Sequence, residues 1–162
     1  MSDLLFPYAA TGAEPILAAT RQWLERAVIG LNLCPFAKSV FVKKQVRYAL
    51  TAAATADELL AELEQELALL AATEAEALIR NNGYDGIFQI AGLHPQYEFA
   101  GSDPDDVANY TNRAPYPMLH LLRESSIDRA VAAFPDAADI FERNIETMER
   151  LGHEGWRKLW LA

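Results

Sequence analysis

The stretch Asn109–Ser126, NYTNRAPYPMLHLLRESS, concentrates amide, hydroxyl, guanidinium and imidazole side chains more densely than any other part of this 162-residue sequence. Pro115 and Pro117 suit a helix start, so the pattern predicts a helix over about 117–123. A helix N-terminus offers unpaired N–H groups and the positive end of a dipole, which together attract anions. Asn109, Thr111, Asn112 and Arg113 are therefore expected to surround a carboxylate or phosphate, with Arg123 adding a second positive charge. The same side chains have a plainer use, because Asn and Thr commonly hydrogen-bond the backbone of a long loop.

Two histidines are the candidate acid/base groups. His94 directly follows the apolar run GIFQIA, and ligands gather at strand ends in open α/β sheets. His120 falls about one turn into the predicted 117–123 helix. If the intervening loop folds back, both imidazoles face one pocket, and a neutral imidazole is a competent base near pH 7. The alternative for each is a structural histidine with its hydrogen bonds satisfied. Asn144 interrupts an apolar helical stripe between Phe141 and Met148, so it must find a partner. Together with Arg143 it is expected to brace the Asn109–Arg113 loop from behind. Cys34 follows a helix C-terminus, where the dipole disfavours a thiolate, and reads as a buried structural residue. His94, His120 and Cys34 lack metal-motif spacing, so no metal site is assigned. No phosphate-binding glycine loop is present either.

These residues need elements to hold them. Residues 14–31 read as a helix, with Ile16, Leu17, Trp23, Leu24, Ala27, Val28 and Leu31 on one face. Thr11 and Glu14 have capping-box spacing, and Pro35 forces a stop. Val46, Tyr48 and Leu50 alternate with polar or small residues, as in a half-buried strand. TADE, from Thr55 to Glu58, is a second capping box, opening a helix with the stripe Leu59, Leu60, Leu63, Leu67 and Leu70. A further helical turn at Ala77–Arg80 ends near Gly83. GIFQIA, apolar on both faces, reads as a central strand, and Gln96–Ala100 as a weaker third. Two helices follow, one with Ile127, Ala130, Val131 and Phe134 on its face. The other is capped by Asp136, carries Ile140, Phe141, Ile145, Met148 and Leu151, and stops at Gly152. A short amphipathic piece holds Trp156 and Trp160.

The inventory predicts an α/β or α+β fold, helix-rich, with a small β-sheet covered by helices. The length suits a single domain over 1–162, with residues 1–13 loosely attached. Such a domain buries about 70% of its unfolded surface without staples. The single cysteine excludes an internal disulfide. A net charge of −9 argues against nucleic acid as a partner. No membrane span or signal peptide is apparent, and a cytoplasmic location is expected.

The strings WLERAVIGLNLCPFAK, QVRY, GIFQIAGLHPQYEFAG, DDVANYTNRAPYPMLHLLRESSIDRAV and ERNIETM occur here in order. Together they resemble an uncharacterised bacterial family, a domain of unknown function (DUF 1415), over Trp23 to about Leu151. The resemblance implies a small cytoplasmic bacterial protein and no particular reaction. The sequence departs from it at one place. Family members carry an additional segment between the leucine-rich helix and the GIFQI strand, whereas here LALLAAT runs straight into EAEALIRNNG. Two strong strands make a marginal sheet, so the sheet is expected to gain a strand. Gln96–Ala100, a partner chain in a homodimer, or a segment belonging between Thr73 and Glu74 are the candidates. The leading functional reading is binding of a small anionic metabolite, a carboxylate or phosphate, with acid/base turnover by His94 or His120. The alternative is a non-catalytic interaction or structural module, open to homo-oligomerisation. The reading leaves cofactors unassigned.

Overall fold

The computed structural model describes residues 12–72, 86–133 and 139–160. Several expectations fall outside them: the attachment of residues 1–11, the Thr11 cap, the Ala77–Arg80 turn with Gly83, the Asp136 cap and the Thr73–Glu74 seam.

The first helix, α1, spans Ala13–Trp23 and continues as a wider π-helical stretch over Leu24–Ile29. Gly12, at φ 107°, is the residue at its N-cap, so the helix starts without a side-chain cap. Thr20, the one polar residue on the apolar face, returns its hydroxyl proton to the Ile16 carbonyl at 2.9 Å. The wide turn brings the Arg26 carbonyl against Gly30, where a Cβ would sit only 2.3 Å from that oxygen. Glycine is therefore required for the helix to leave in this geometry. Helix α2 spans Ala37–Val42.

Residues 45–54 run on as irregular chain, so the strand expected at Val46–Leu50 does not form. Alternation alone makes no strand: the ladder needs a neighbour, and none among the described residues pairs with it. Tyr48 instead lies under the Arg21 guanidinium, 5.2 Å from the ring centre. Helix α3, Ala56–Ala72, opens as TADE predicts. Glu58 N–H donates to Thr55 Oγ1 at 3.3 Å, and Glu58 Oε2 accepts from the Ala54 and Thr55 N–H groups at 2.8 and 3.2 Å. Those backbone donors hold the Glu58 carboxyl below its usual pKa. A two-pronged Arg47–Glu66 ion pair ties α3 to the preceding segment. Leu59 and Leu60 of its apolar stripe are nevertheless exposed.

Strand β1, Phe88–Leu93, pairs antiparallel with β2, Met118–Arg123, from Phe88 opposite Arg123 to Leu93 opposite Met118. The second strand corrects the helix expected over 117–123. Six mostly apolar residues carry too little periodicity to distinguish strand from helix, and the pairing with β1 decides it. Gln96–Ala100 is irregular chain between two turns rather than a third strand, and β1 is an edge strand among the described residues, not a central one. Helix α4, Glu124–Ala132, continues directly from β2.

Helix α5, Ile140–Lys158, is broken at Gly152, whose φ of 63° and ψ of 178° interrupt the helical path. The sequence stop at Gly152 thus marks a real break. Beyond it, Trp156 and Trp160 turn into the core. There they meet Trp23 and Ala27 from the first helix, Leu33, Tyr110, Ala114 and Met148. Tyr110 stacks on Trp156 at 5.0 Å, and Trp160 meets Trp156 edge-on at 5.5 Å. Deleting a buried tryptophan costs about 3–5 kcal/mol, so this aromatic stack is a main support of the fold. The result is an α+β protein whose core is helical and whose sheet is a two-stranded ribbon beside it. Among the described residues, no helix is long and apolar enough to cross a membrane.

Candidate functional site

The Asn109–Arg113 stretch lies in a short 3-10 turn over Val107–Thr111, opened by Asp106, whose Oδ1 accepts from the Ala108 N–H at 2.8 Å. Every candidate side chain in the turn bonds to protein. Asn109 is fully buried. Its Oδ1 accepts from the Phe99 N–H at 3.0 Å and the Ser102 hydroxyl at 2.9 Å. Its Nδ2 donates to the Asp103 carbonyl at 2.9 Å. Thr111 Oγ1 donates to the Ala108 carbonyl at 2.8 Å and lies 3.4 Å from Asn112 Oδ1.

Arg113 is 7% exposed and lies over the Tyr110 ring, 5.0 Å from its centre. Its Nε donates to the Tyr97 carbonyl at 2.9 Å and its Nη2 to the Pro104 carbonyl at 2.7 Å. Its own carbonyl accepts from Trp23 Nε1 at 3.0 Å. The planar fork that could grip an anion is here spent on loop carbonyls. Asn109 and Arg113 therefore fasten residues 97–104 to the core. The helix N-terminus expected to sit beside Arg113 is absent, because the chain enters β2 there.

The two histidines belong to different segments, His120 to β2 and His94 to the turn that follows β1. His120 pairs with Ala91 in the ribbon register, which places it on the face of Ala91 and Leu93. His94 lies one residue past the end of β1, where its backbone bonds Asn112 and Ala114. His94 Nδ1 accepts from the Gln96 N–H at 3.0 Å, which leaves the ring proton on Nε2 when the imidazole is neutral. The protein around His120 lowers its pKa by desolvation, while the solvent access that the residue keeps limits that effect. Arg123 ends β2, about 17 Å of strand beyond Met118, and so stands apart from Arg113.

A concave surface exists elsewhere. The loop after the first helix and the first half of α5 enclose a groove of about 260 Å³. Arg143, Asn144, Glu146, Thr147 and Arg150 line one wall, and Leu31, Asn32 and Pro35 the other. Asn144 Nδ2 donates to the Leu33 carbonyl at 2.9 Å, so Asn144 bolts the two walls together. It therefore braces the Leu31–Pro35 loop, not the Asn109–Arg113 loop. Arg143 Nε reaches the Asp139 carbonyl at 3.4 Å. Asn32 holds φ 55°, a left-handed conformation that asparagine tolerates. Arg150 Nη2 lies 3.4 Å from Thr147 Oγ1.

Sequence reasoning selected Arg143 and Asn144 here but missed Arg150 and Asn32. The spacing of residues 143, 147 and 150 along one helix face was the available signal. It also missed His153, whose Nδ1 lies 2.7 Å from the Tyr110 hydroxyl. Burial raises the Tyr110 pKa. Cys34 is half-buried rather than enclosed. Among the described residues, no three His, Cys, Asp or Glu side chains converge as a metal site requires.

The architecture defines a small α+β protein with a helical aromatic core, a loop clamped onto that core, and an arginine-lined groove. A family model described as Protein of unknown function (DUF1415) matches residues 15–78 and 71–158, and the chain belongs to that family. The two matched pieces meet at 71–78, the place where the sequence departs from the resemblance. No curated protein and no solved structure matches the chain.

Proposed function

We propose that the chain binds a small anion, a carboxylate or phosphate metabolite, in the groove between the Leu31–Pro35 loop and α5. The observation that carries this reading is the presence of Arg143 and Arg150 along one wall of the same concavity. A guanidinium carries five donors in a fixed fork, suited to carboxylate or phosphate oxygens. Asn32 and Thr147 supply further polar groups, and Leu31, Pro35 and Ile140 apolar lining. The volume lies just below the common ligand-pocket range of roughly 300–1,000 Å³, which favours a compact ligand. Neither His94 nor His120 lines the groove, so the reading is binding rather than turnover.

Thermal unfolding in inorganic phosphate, succinate and acetate tests it. A ligand at about 100 times its dissociation constant adds about 2.7 kcal/mol, or roughly 5–11 °C for a chain of this size. Arg150→Ala should abolish the shift without lowering the melting temperature of the free protein. Absence of a shift with all three anions, or an undiminished shift in Arg143→Ala/Arg150→Ala, overturns the reading.

A further inference from the structure

The groove beside α5 holds a charge that a simple anion does not call for. Among the described residues, its ionic side chains are Arg143, Glu146 and Arg150. All three stand in α5 before the break at Gly152. Spacings of three and four residues put them on one helix face, in the order plus, minus, plus. Along the axis, Glu146 stands about 4.5 Å from Arg143 and about 6 Å from Arg150.

A glutamate four residues before a cation has the order that favours a direct ion pair. Glu146 and Arg150 have that order, yet among the described residues Glu146 makes no hydrogen bond or ion pair. Arg150 Nη2 approaches Thr147 Oγ1 instead, at 3.4 Å. Arg143 directs its Nε to the Asp139 carbonyl. A guanidinium carries five donors, so Arg143 bonds the protein and still serves a ligand.

For a phosphate or a plain dicarboxylate, the Glu146 carboxylate is a cost, because like charges at close range repel. A ligand that carries a cation between its anions turns the same carboxylate into a charge-assisted contact. We infer that the groove takes an amino dicarboxylate, an acidic amino acid of the aspartate or glutamate type. Its two carboxylates meet Arg143 and Arg150, and its ammonium meets Glu146. The inference rests on the groove being an anion site and adds the class of anion. Along the short carbon chain of such a ligand the charges run minus, plus, minus, the complement of the α5 face. Its net charge stays negative, as two arginines against one glutamate require. The volume of about 260 Å³ suits a molecule of this size, and Leu31, Pro35 and Ile140 offer apolar surface to its methylenes. Selectivity against plain diacids comes from Glu146, which they leave facing only like charge.

Succinate and aspartate differ by one ammonium group, so calorimetric titration of the full chain with each isolates that group. Aspartate should bind about tenfold more tightly than succinate. Glu146→Gln removes the charge and keeps the size; Glu146 is exposed, so the change carries little risk to folding. In this variant aspartate should weaken to the level of succinate, while succinate binds no worse than it does to the unaltered chain. Succinate binding the unaltered chain as tightly as aspartate overturns the inference and leaves the anion site standing. A preference for aspartate that persists undiminished in Glu146→Gln also overturns it, because the ammonium is then recognised elsewhere. Binding of neither compound removes the inference together with the reading it rests on.

Discussion

Replacing Asn109 by alanine should be among the most destabilising single changes in this protein. The side chain is 0% exposed and makes three hydrogen bonds, to the Phe99 N–H, the Ser102 hydroxyl and the Asp103 carbonyl. A typical internal hydrogen bond contributes about 1 kcal/mol net, and a buried group left unpaired costs about 1–3 kcal/mol. Ser102 can turn its hydroxyl proton elsewhere, since its Oγ also lies 2.9 Å from the Phe99 carbonyl. The Asp103 carbonyl keeps a partner, the Asp106 N–H at 2.9 Å, so the Phe99 N–H is the group left unpaired unless water enters. The expected loss is therefore about 2–4 kcal/mol, a large share of a typical total of about 5–15 kcal/mol. Urea unfolding followed by tryptophan fluorescence reads it directly, as Trp23, Trp156 and Trp160 all sit in the core. Asn109→Asp supplies the control: it keeps an acceptor for Phe99 but sets a carboxylate against the Asp103 carbonyl. Its defect should shrink on acidification, because protonation restores a donor. A loss below about 1 kcal/mol for the alanine variant would refute the view that Asn109 fastens this loop.

The clamp and the capping box give two further tests. Arg113→Lys keeps the charge but cannot fork between the Tyr97 and Pro104 carbonyls, so it should cost about 2–3 kcal/mol in urea unfolding; a neutral result would show that charge alone suffices. Glu58 has a lowered pKa through its bonds to the Ala54 and Thr55 N–H groups. Its contribution is fully present above the unfolded value of about 4.3 and is lost as pH falls through the lower folded value. The N-terminal turn of α3 should therefore fray at acid pH in NMR chemical shifts, and Glu58→Gln should flatten that dependence. An unchanged acid profile in the variant would remove Glu58 as the cause.

What could be read from the sequence was what neighbours in the chain decide. TADE closes its ring within four residues, and Gly152 breaks a helix by its own backbone freedom. MLHLLR could not be assigned that way: its strand identity depends on β1, some thirty residues earlier. VRYAL has the alternation of a strand, but no partner among the described residues. The density of Asn109–Arg113 was legible, whereas its use was not. Three of the acceptors it meets are backbone carbonyls, of Tyr97, Asp103 and Pro104, and carbonyls leave no mark on sequence composition. The groove was half legible: Asn144 drew notice as a polar residue in an apolar stripe. Arg150 looked like any exposed helix cation.

The way the core is stitched bears on how the protein is made. Trp23 and Ala27 pack against Met148, Trp156 and Trp160, and Arg26 Nη1 donates to the Leu159 carbonyl at 2.7 Å across 133 residues. During synthesis the first helix emerges long before its partners in α5. At about 5–20 residues per second, it waits roughly 7–27 s for its partners. Through that interval its apolar face is in water, within reach of chaperones and of other nascent chains. Yield in the cell should thus respond to translation speed and to chaperone supply as much as to the stability of the finished fold.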